Sequence, residues 1–406
     1  MSKPHDPYSS LKISAFRYFL AGKFLLTLAV QMQAVIASWM IYAFTKDPLS
    51  LGLIGLTEAI PALSLSLPGG LLADRISRKK IMVITAFLMF CGALVLCFYT
   101  HLDHPDFIWP LYGVIFMVGM ARGFHTPAQA AYWAQILPRE QYVNGSVWNS
   151  SLWQIGAVTG PALGGLCYAQ IGPFYSSIIV ATLILFVTVL YTALKPTSVP
   201  TKIEGESIAE SLKTGLRFFF RQPILLSAVT LDLFAVLFGG AVALLPAFAD
   251  QILHTGPEGL GYLRSAPALG AVIMALVLAF RPPHKNAGRK MLICVGGFGL
   301  CMIGFAMSTS FVLSFILLML SGMFDNVSVV IRSTILQSFT PDEMRGRIAA
   351  VNSIFIGSSN ELGAFESGVT ARLLGLTNSV IFGGAMTLVV VTLTNKMAPM
   401  LKKLDL

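Results

Sequence analysis

The chain has 406 residues, 55% of them hydrophobic and 12% charged, with a mean hydropathy of +0.74 and a formal net charge of +9. So much apolar surface exceeds what a soluble core can hide and marks an integral membrane protein. The excess of basic residues follows membrane topology, as their positions show, and gives no support for nucleic-acid binding.

The polar start, Met1 to Ser10, leads into a long apolar run without a short core and small-residue cleavage site, so the first span is expected to be retained. Apolar runs of about 18 to 25 residues are long enough to cross a bilayer. Twelve are expected, beginning near Leu20, Ser50, Ile81, Ile108, Val147, Tyr175, Ile224, Leu260, Met291, Phe311, Ile348 and Ser379. The connections then alternate between two faces. One face collects 22 basic residues, among them Arg75, Arg78, Lys79, Lys80, Arg139, Arg217, Arg289 and Lys402, whereas the other holds only Lys46 and Arg372. By the positive-inside rule this asymmetry puts both termini in the cytoplasm and requires an even number of spans. Cys91, Cys97, Cys167, Cys294 and Cys301 all lie in apolar runs and read as small packing residues.

A shift of 203 residues lays Pro138 on Pro341, Glu140 on Glu343, Asn149 on Asn352, Ser150 on Ser353, Gly160 on Gly363, Gly165 on Gly368 and Gly172 on Gly375. The shift is half the chain, the pattern of two parallel six-span repeats. The expected domains are therefore residues 1–195, a cytoplasmic linker over 196–222, and residues 223–406. Within the linker Ile208, Leu212, Leu216, Phe219 and Phe220 share one helical face, with Glu210, Lys213 and Arg217 on the other. This pattern suits an amphipathic helix on the lipid surface; a flexible tether is the alternative.

Between the second and third spans runs GLLADRISRKK, Gly70 to Lys80. With twelve spans as six plus six, it resembles the signature of the major facilitator superfamily, G-x-x-x-D-R-x-G-R-[RK]-[RK]. Gly70, Asp74, Arg75, Arg78, Lys79 and Lys80 match, and Ser77 stands where a glycine is expected. A second stretch, GAVTGPALGG with Gly156, Gly160, Pro161, Gly164 and Gly165, is similar to the fifth-span motif of superfamily antiporters; small residues at this spacing let two helices approach closely. PAFADQILHTGPEGLGYLRSAPALGA and SFTPDEMRGRIAAVN resemble the drug:proton antiporter branch that includes enterobactin-exporter-like and macrolide-efflux-like proteins. The resemblance implies an all-α membrane fold of two six-helix bundles related by a pseudo-twofold axis. It also implies a conformational latch, in which Asp74 engages the start of the eleventh span around Gly346 to Ala350.

Ionisable residues inside a bilayer are costly and mark function by default. Asp232, nine residues into the seventh span and so about 13 Å deep, is the first choice for a proton carrier, the alternative being an acid satisfied by a neighbouring helix. Arg122 and Asp325 are also 203 residues apart; the repeat makes them a candidate gating pair in the fourth and tenth spans, or two helix anchors near the headgroups. Glu58, Glu361 and Glu366 suit an outer proton relay, or structural pairing with Arg264 or Arg372. Lys23 and Arg332 are placed near the inner surface, within snorkelling reach and without a role. Gln31, Gln33, Trp39, Tyr42, Phe234 and Asn326 interrupt apolar runs and are the substrate-binding candidates.

No G-x-x-x-x-G-K-[ST], H-E-x-x-H or C-x-x-C occurs, so no nucleotide site, cofactor or metal is expected, and no enzyme activity. The expected function is export of a bulky amphipathic organic compound in exchange for protons by alternating access, as a monomer in the bacterial inner membrane among its lipids. The rivals are a proton-coupled or facilitated importer of a nutrient or lipid-like molecule, and a membrane sensor on the same fold.

Overall fold

Lipid offers no hydrogen bonds, so a chain this apolar must satisfy its backbone internally, which it does here by helix formation. A computed structural model describes residues 8–102, 107–195, 208–281, 283, 285–341, 344–402 and 404–405. Its helices are α1 (Ser14–Thr45), α2 (Pro48–Arg75), α3 (Arg78–His101), α4 (Trp109–Ile136), α5 (Tyr142–Thr192), α6 (Ile208–Arg221) and α7 (Pro223–Gly239). They continue with α8 (Leu245–Gln251), α9 (Gly256–Phe280), α10 (Ala287–Met307), α11 (Phe311–Ser338), α12 (Arg345–Leu374), α13 (Leu376–Met397) and α14 (Pro399–Lys402). The described residues contain no strand.

Nine segments among the described residues are long and apolar enough to cross a membrane. One of them is α7 joined to α8 through a short 3-10 turn at Ala241–Leu244, and another, α5, is too long for a single crossing. At 51 residues α5 would extend about 77 Å, and it is broken at Gly172, whose φ of 78° and ψ of 171° are non-helical and which Pro173 follows. The fifth and sixth expected spans are the two arms of α5. The remaining two, α4 and α12, are 28 and 30 residues long but interrupted by polar side chains, which lowers their hydropathy. The first helix starts six residues before its expected position, at Ser14, because Arg17 masks the helix in a hydropathy reading.

The chain divides into two compact units, Met1–Met40 with Ile60–Glu204, and Ile41–Ala59 with Gly205–Leu406. The second unit thus takes in the turn between α1 and α2, where Tyr42 and Leu51 pack on Ala247, and Lys46 Nζ reaches Asp250 Oδ2 at 2.7 Å. The five cysteines are free thiols.

The sequence repeat reappears in the backbone. Gly375, which joins α12 to α13, has φ 89° and ψ 159°, the same unusual conformation as its repeat partner Gly172. Only glycine adopts this region without strain. Helix crossings repeat as well. In the first unit a Cβ on Gly69 would lie 2.3 Å from the Gly123 carbonyl oxygen; in the second, one on Gly322 would lie 1.9 Å from that of Pro267. The equivalent helix pairs, α2 with α4 and α9 with α11, therefore cross backbone to backbone through glycine.

Helix α6 carries the linker pattern only in part, since residues 196–207 and the side chains of 208–213 lie outside the described residues. Its Phe219 is fully buried and stacks on Phe355 of α12, whereas Phe220 is exposed. Gly172→Ala and Gly375→Ala are each expected to destabilise the protein by roughly 1–3 kcal/mol, read as a lower melting temperature in detergent. Gly70→Ala, where an added methyl meets nothing within 4 Å, should leave it unchanged or slightly higher.

Candidate functional site

The deepest charges of the second unit fall at one place. Asp232 sits on α7 nine residues after Pro223 and is 5% exposed; Arg332 on α11 is 4% exposed. Their carboxylate and guanidinium form an ion pair. Arg332 was expected to snorkel to the inner surface, and the structure corrects this: its side chain turns inward because an unpaired Asp232 in apolar surroundings would be far costlier than the lost contact with headgroups. Two turns back along α11, Asp325 lines a small cavity together with Asp232, Ala235 and Val236 of α7 and Val295 and Phe298 of α10. The cavity has room for about one water molecule. Two carboxylates thus line one small, mostly apolar cavity, and one of them holds an arginine.

A second cluster in the same unit uses Arg264 of α9, which attracts Glu58 of α2 and Glu361 of α12. Gly52 and Gly55 make this possible: a Cβ at Gly52 would touch Gly368, and one at Gly55 would touch Ala364 and the Glu361 carbonyl, so the first turns of α2 run directly against α12. Glu366 lies five residues further along α12, half-buried. On the surface, Arg372 approaches Asp47 at 3.6 Å with both side chains partly exposed, a pairing worth about 0–1 kcal/mol.

In the first unit, Lys23 does not snorkel. Because α1 begins at Ser14, Lys23 is nine residues inside the helix, and its Nζ donates to Asn149 Oδ1 of α5 at 2.6 Å. Beside it His125 of α4 is buried, with Nδ1 2.8 Å from Thr85 Oγ1 and Nε2 3.3 Å from Gln129 Nε2. Gln129 also donates to Tyr191 Oη at 3.4 Å. Hydropathy alone gave no signal that His125 and Gln129 of α4 meet Tyr191 of α5. Arg122 is exposed on the same helix.

The glycines of GAVTGPALGG form one seam. A Cβ on Gly156 would meet Thr27, on Gly160 Leu28 and Gln31, and on Gly164 Met32, so the stripe presses α5 onto α1. In the GLLADRISRKK turn, Arg78 ties the elements together by donating to the carbonyls of Ala73 and of Ala131 on α4, at 3.4 and 3.0 Å. Ser77, in place of the expected glycine, has φ −52°, a conformation open to any residue. The close approach in this region belongs to Gly69, with Gly70 in open space. Asp74's side chain and most of those of 345–350 lie outside the described residues. Of the substrate candidates, Gln33, Trp39 and Tyr42 are enclosed by packing, and Gln33 Oε1 has no hydrogen-bond partner among the described residues. Phe234 is 39% exposed and stacked on Phe238, and Asn326 Oδ1 has no hydrogen-bond partner among the described residues.

A helical membrane chain built from two repeats, with ion-paired acids buried in its interior, is a polytopic solute transporter. The chain belongs to the Major Facilitator Superfamily, whose sequence profile matches residues 19–364. The enterobactin exporter EntS of Shigella boydii serotype 18 (strain CDC 3083-94 / BS512) is 27% identical over 339 residues, 82% of this chain and 80% of the relative. EntS of Escherichia coli O1:K1 / APEC matches with the same identity and coverage. Among solved structures, the nucleoside transporter NupG is similar with a TM-score of 0.73 at 14% identity, covering 95% of this chain and 99% of that one. The peptide transporter POT in complex with sulfate has a TM-score of 0.75 at 13% identity, covering 99% and 100%. These structures share the fold.

The Asp232–Arg332 pair makes a stability prediction. Arg332→Gln alone strands a buried carboxylate and is expected to cost roughly 3–5 kcal/mol, whereas Asp232→Asn combined with Arg332→Gln should recover most of the loss. Thermal unfolding of the purified single and double variants measures the difference.

Proposed function

We propose that this chain exports a bulky amphipathic organic compound, siderophore-like or drug-like, from the bacterial cytoplasm in exchange for protons by alternating access. It works as a monomer in the inner membrane with both termini cytoplasmic. The bundles are residues 1–195 and 223–406, joined by 196–222. The observation that carries the reading is the cavity shared by Asp232 and Asp325, with Arg332 bound to the first. Two acids and one base in a water-poor space favour holding a proton on one acid, since like charges so close are mutually unfavourable and a single arginine neutralises only one of them. Protonation of Asp232 releases Arg332, and protonation of Asp325 removes the remaining charge. Either step changes what the helices can bury, so proton binding is coupled to the conformational equilibrium by differential stabilisation of its states. The 27% identity to enterobactin exporters supports the outward direction and an organic substrate.

Glu58 and Glu361, gathered by Arg264, serve in this reading as a second proton-handling cluster. Phe234, Asn326, Gln31, Gln33, Trp39 and Tyr42 remain the proposed substrate contacts, with Phe234 and Asn326 foremost because they lie within two residues of the coupling acids. Arg122, Arg75, Arg78, Lys79 and Lys80 with Asp74 and Gly70 are proposed to govern switching between states.

In everted membrane vesicles, a gradient acidic inside should drive accumulation of enterobactin or ethidium, and a protonophore should abolish it. Asp325→Asn is expected to lower gradient-driven accumulation at least tenfold while sparing counterflow exchange. Accumulation indifferent to the gradient overturns antiport, and loss of both activities assigns Asp325 to folding or substrate binding.

A further inference from the structure

The two units carry opposite interior charge. In the first, the charged side chains lying within the helices away from their ends are Lys23 and Arg122, with no Asp or Glu between Ser14 and Met40 or in α3 to α5 away from the helix ends. In the second they include Asp232, Asp325, Glu361 and Glu366 with Glu58 of the α1–α2 region, against Arg264 and Arg332. Lys23 is the ninth residue after the start of α1, and Asp232 is the ninth after the start of α7. The acid has an arginine bound to it; the lysine has an amide.

That amide leaves Lys23 short of partners. An ammonium offers three donors, and the described residues provide Lys23 Nζ with one side-chain acceptor, Asn149 Oδ1, and no carboxylate. His125, a neighbouring titratable group, is no help. Its Nδ1 lies 2.8 Å from Thr85 Oγ1 and its Nε2 3.3 Å from Gln129 Nε2, so both ring nitrogens already have partners. A cation held inside a membrane protein costs at least about 2.5–3.5 kcal/mol on insertion scales, and a lone amide oxygen offsets only part of that. Lys23 is half-buried, with surface left for an approaching group. Asn149 fixes the ammonium in place from the α5 side, and the Gly156–Gly160 seam holds α5 against α1 at that level.

From these features we infer that Lys23, steadied by Asn149, is the recognition point for a negatively charged oxygen on the transported compound, so that the substrate is an organic anion such as a carboxylate, phenolate or phosphate monoester. This inference rests on the reading of the chain as an exporter of an organic compound and specifies its chemical class. Two remaining ammonium hydrogens would bond the anionic oxygens, and the apolar body of the compound would stay among the surrounding side chains. A compact ammonium suits a single oxygen of varied geometry, where an arginine would demand a planar, two-oxygen partner.

Equilibrium binding without any proton gradient tests the inference apart from the coupling mechanism. Wild-type protein in nanodiscs of phosphatidylcholine alone, free of anionic headgroups, is titrated with 2-naphthoate, 4-butylbenzoate and 1-naphthyl phosphate. Their uncharged counterparts, 2-naphthamide, 4-butylbenzamide and 1-naphthol, are titrated alongside. At least one anion is expected to bind tenfold or more tightly than its neutral counterpart. Lys23→Met should abolish that preference and Lys23→Arg should retain part of it. Asn149→Asp, which gives the ammonium an internal carboxylate, should abolish it in a protein whose interior charge stays paired. Adding phosphatidylglycerol should leave the preference in place; its loss would assign the site to lipid headgroups. Equal binding of anion and neutral compound, no binding of any anion, or a preference that survives in Lys23→Met and Asn149→Asp overturns the inference. Failure of gradient-driven transport alone, with the anion preference intact, would instead count against proton exchange.

Discussion

A membrane interior allows a charge only where something answers it, and the Asp232–Arg332 pair is where this chain meets that condition most fully. Both side chains are almost completely buried, on two helices that the pair holds together. The pair is of little value as a simple brace, because hydrophobic residues of the same size would serve at least as well. In the proposed function it is a switchable contact: a proton on the carboxylate would convert a satisfied pair into a buried cation without its partner. The nearness of Asp325 supplies an alternative acid within the same cavity. The other charged clusters of the second unit obey the same rule at lower stakes, with Arg264 answering two glutamates and the surface pairs lying where water already screens them.

How far the sequence could be read depended on which signals were local. Composition was enough to identify a helical membrane chain, since it depends only on what each segment contains. The half-chain repeat was also visible, and its strongest witness is Gly172 matched to Gly375: the two glycines share a backbone conformation as well as a position. Depth was harder. Arg17 hid the first turns of α1 from a hydropathy reading, which displaced Lys23 toward the surface. Arg332 was misjudged for a different reason, because its partner is a hundred residues away and only helix packing brings them together. The set of Thr85, His125, Gln129 and Tyr191 gives no one-dimensional signal, because its members come from α3, α4 and α5 and only helix packing brings them together.

The signature turn shows the same divide. Its charges announced a helix boundary on a basic face, and Arg78 does fasten that boundary to α4 through carbonyl contacts. The glycine that matters for packing there is Gly69, one position from the residue the pattern singles out, because close approach is decided by which side of α2 faces Gly123. A motif read as letters records which residue types recur; the helix face decides what each of them touches.

The single-residue junctions at Gly172 and Gly375 carry a consequence for biogenesis. Each joins two membrane-length helices with no intervening loop, so the second arm of each hairpin has no slack with which to choose its register or wait outside the bilayer. The two arms must enter as one preformed wedge, their mutual alignment fixed by a lone peptide unit. Errors in insertion at these points would therefore displace entire hairpins and leave no mild intermediate state, which confines the tolerance of the chain to insertions to its other connections.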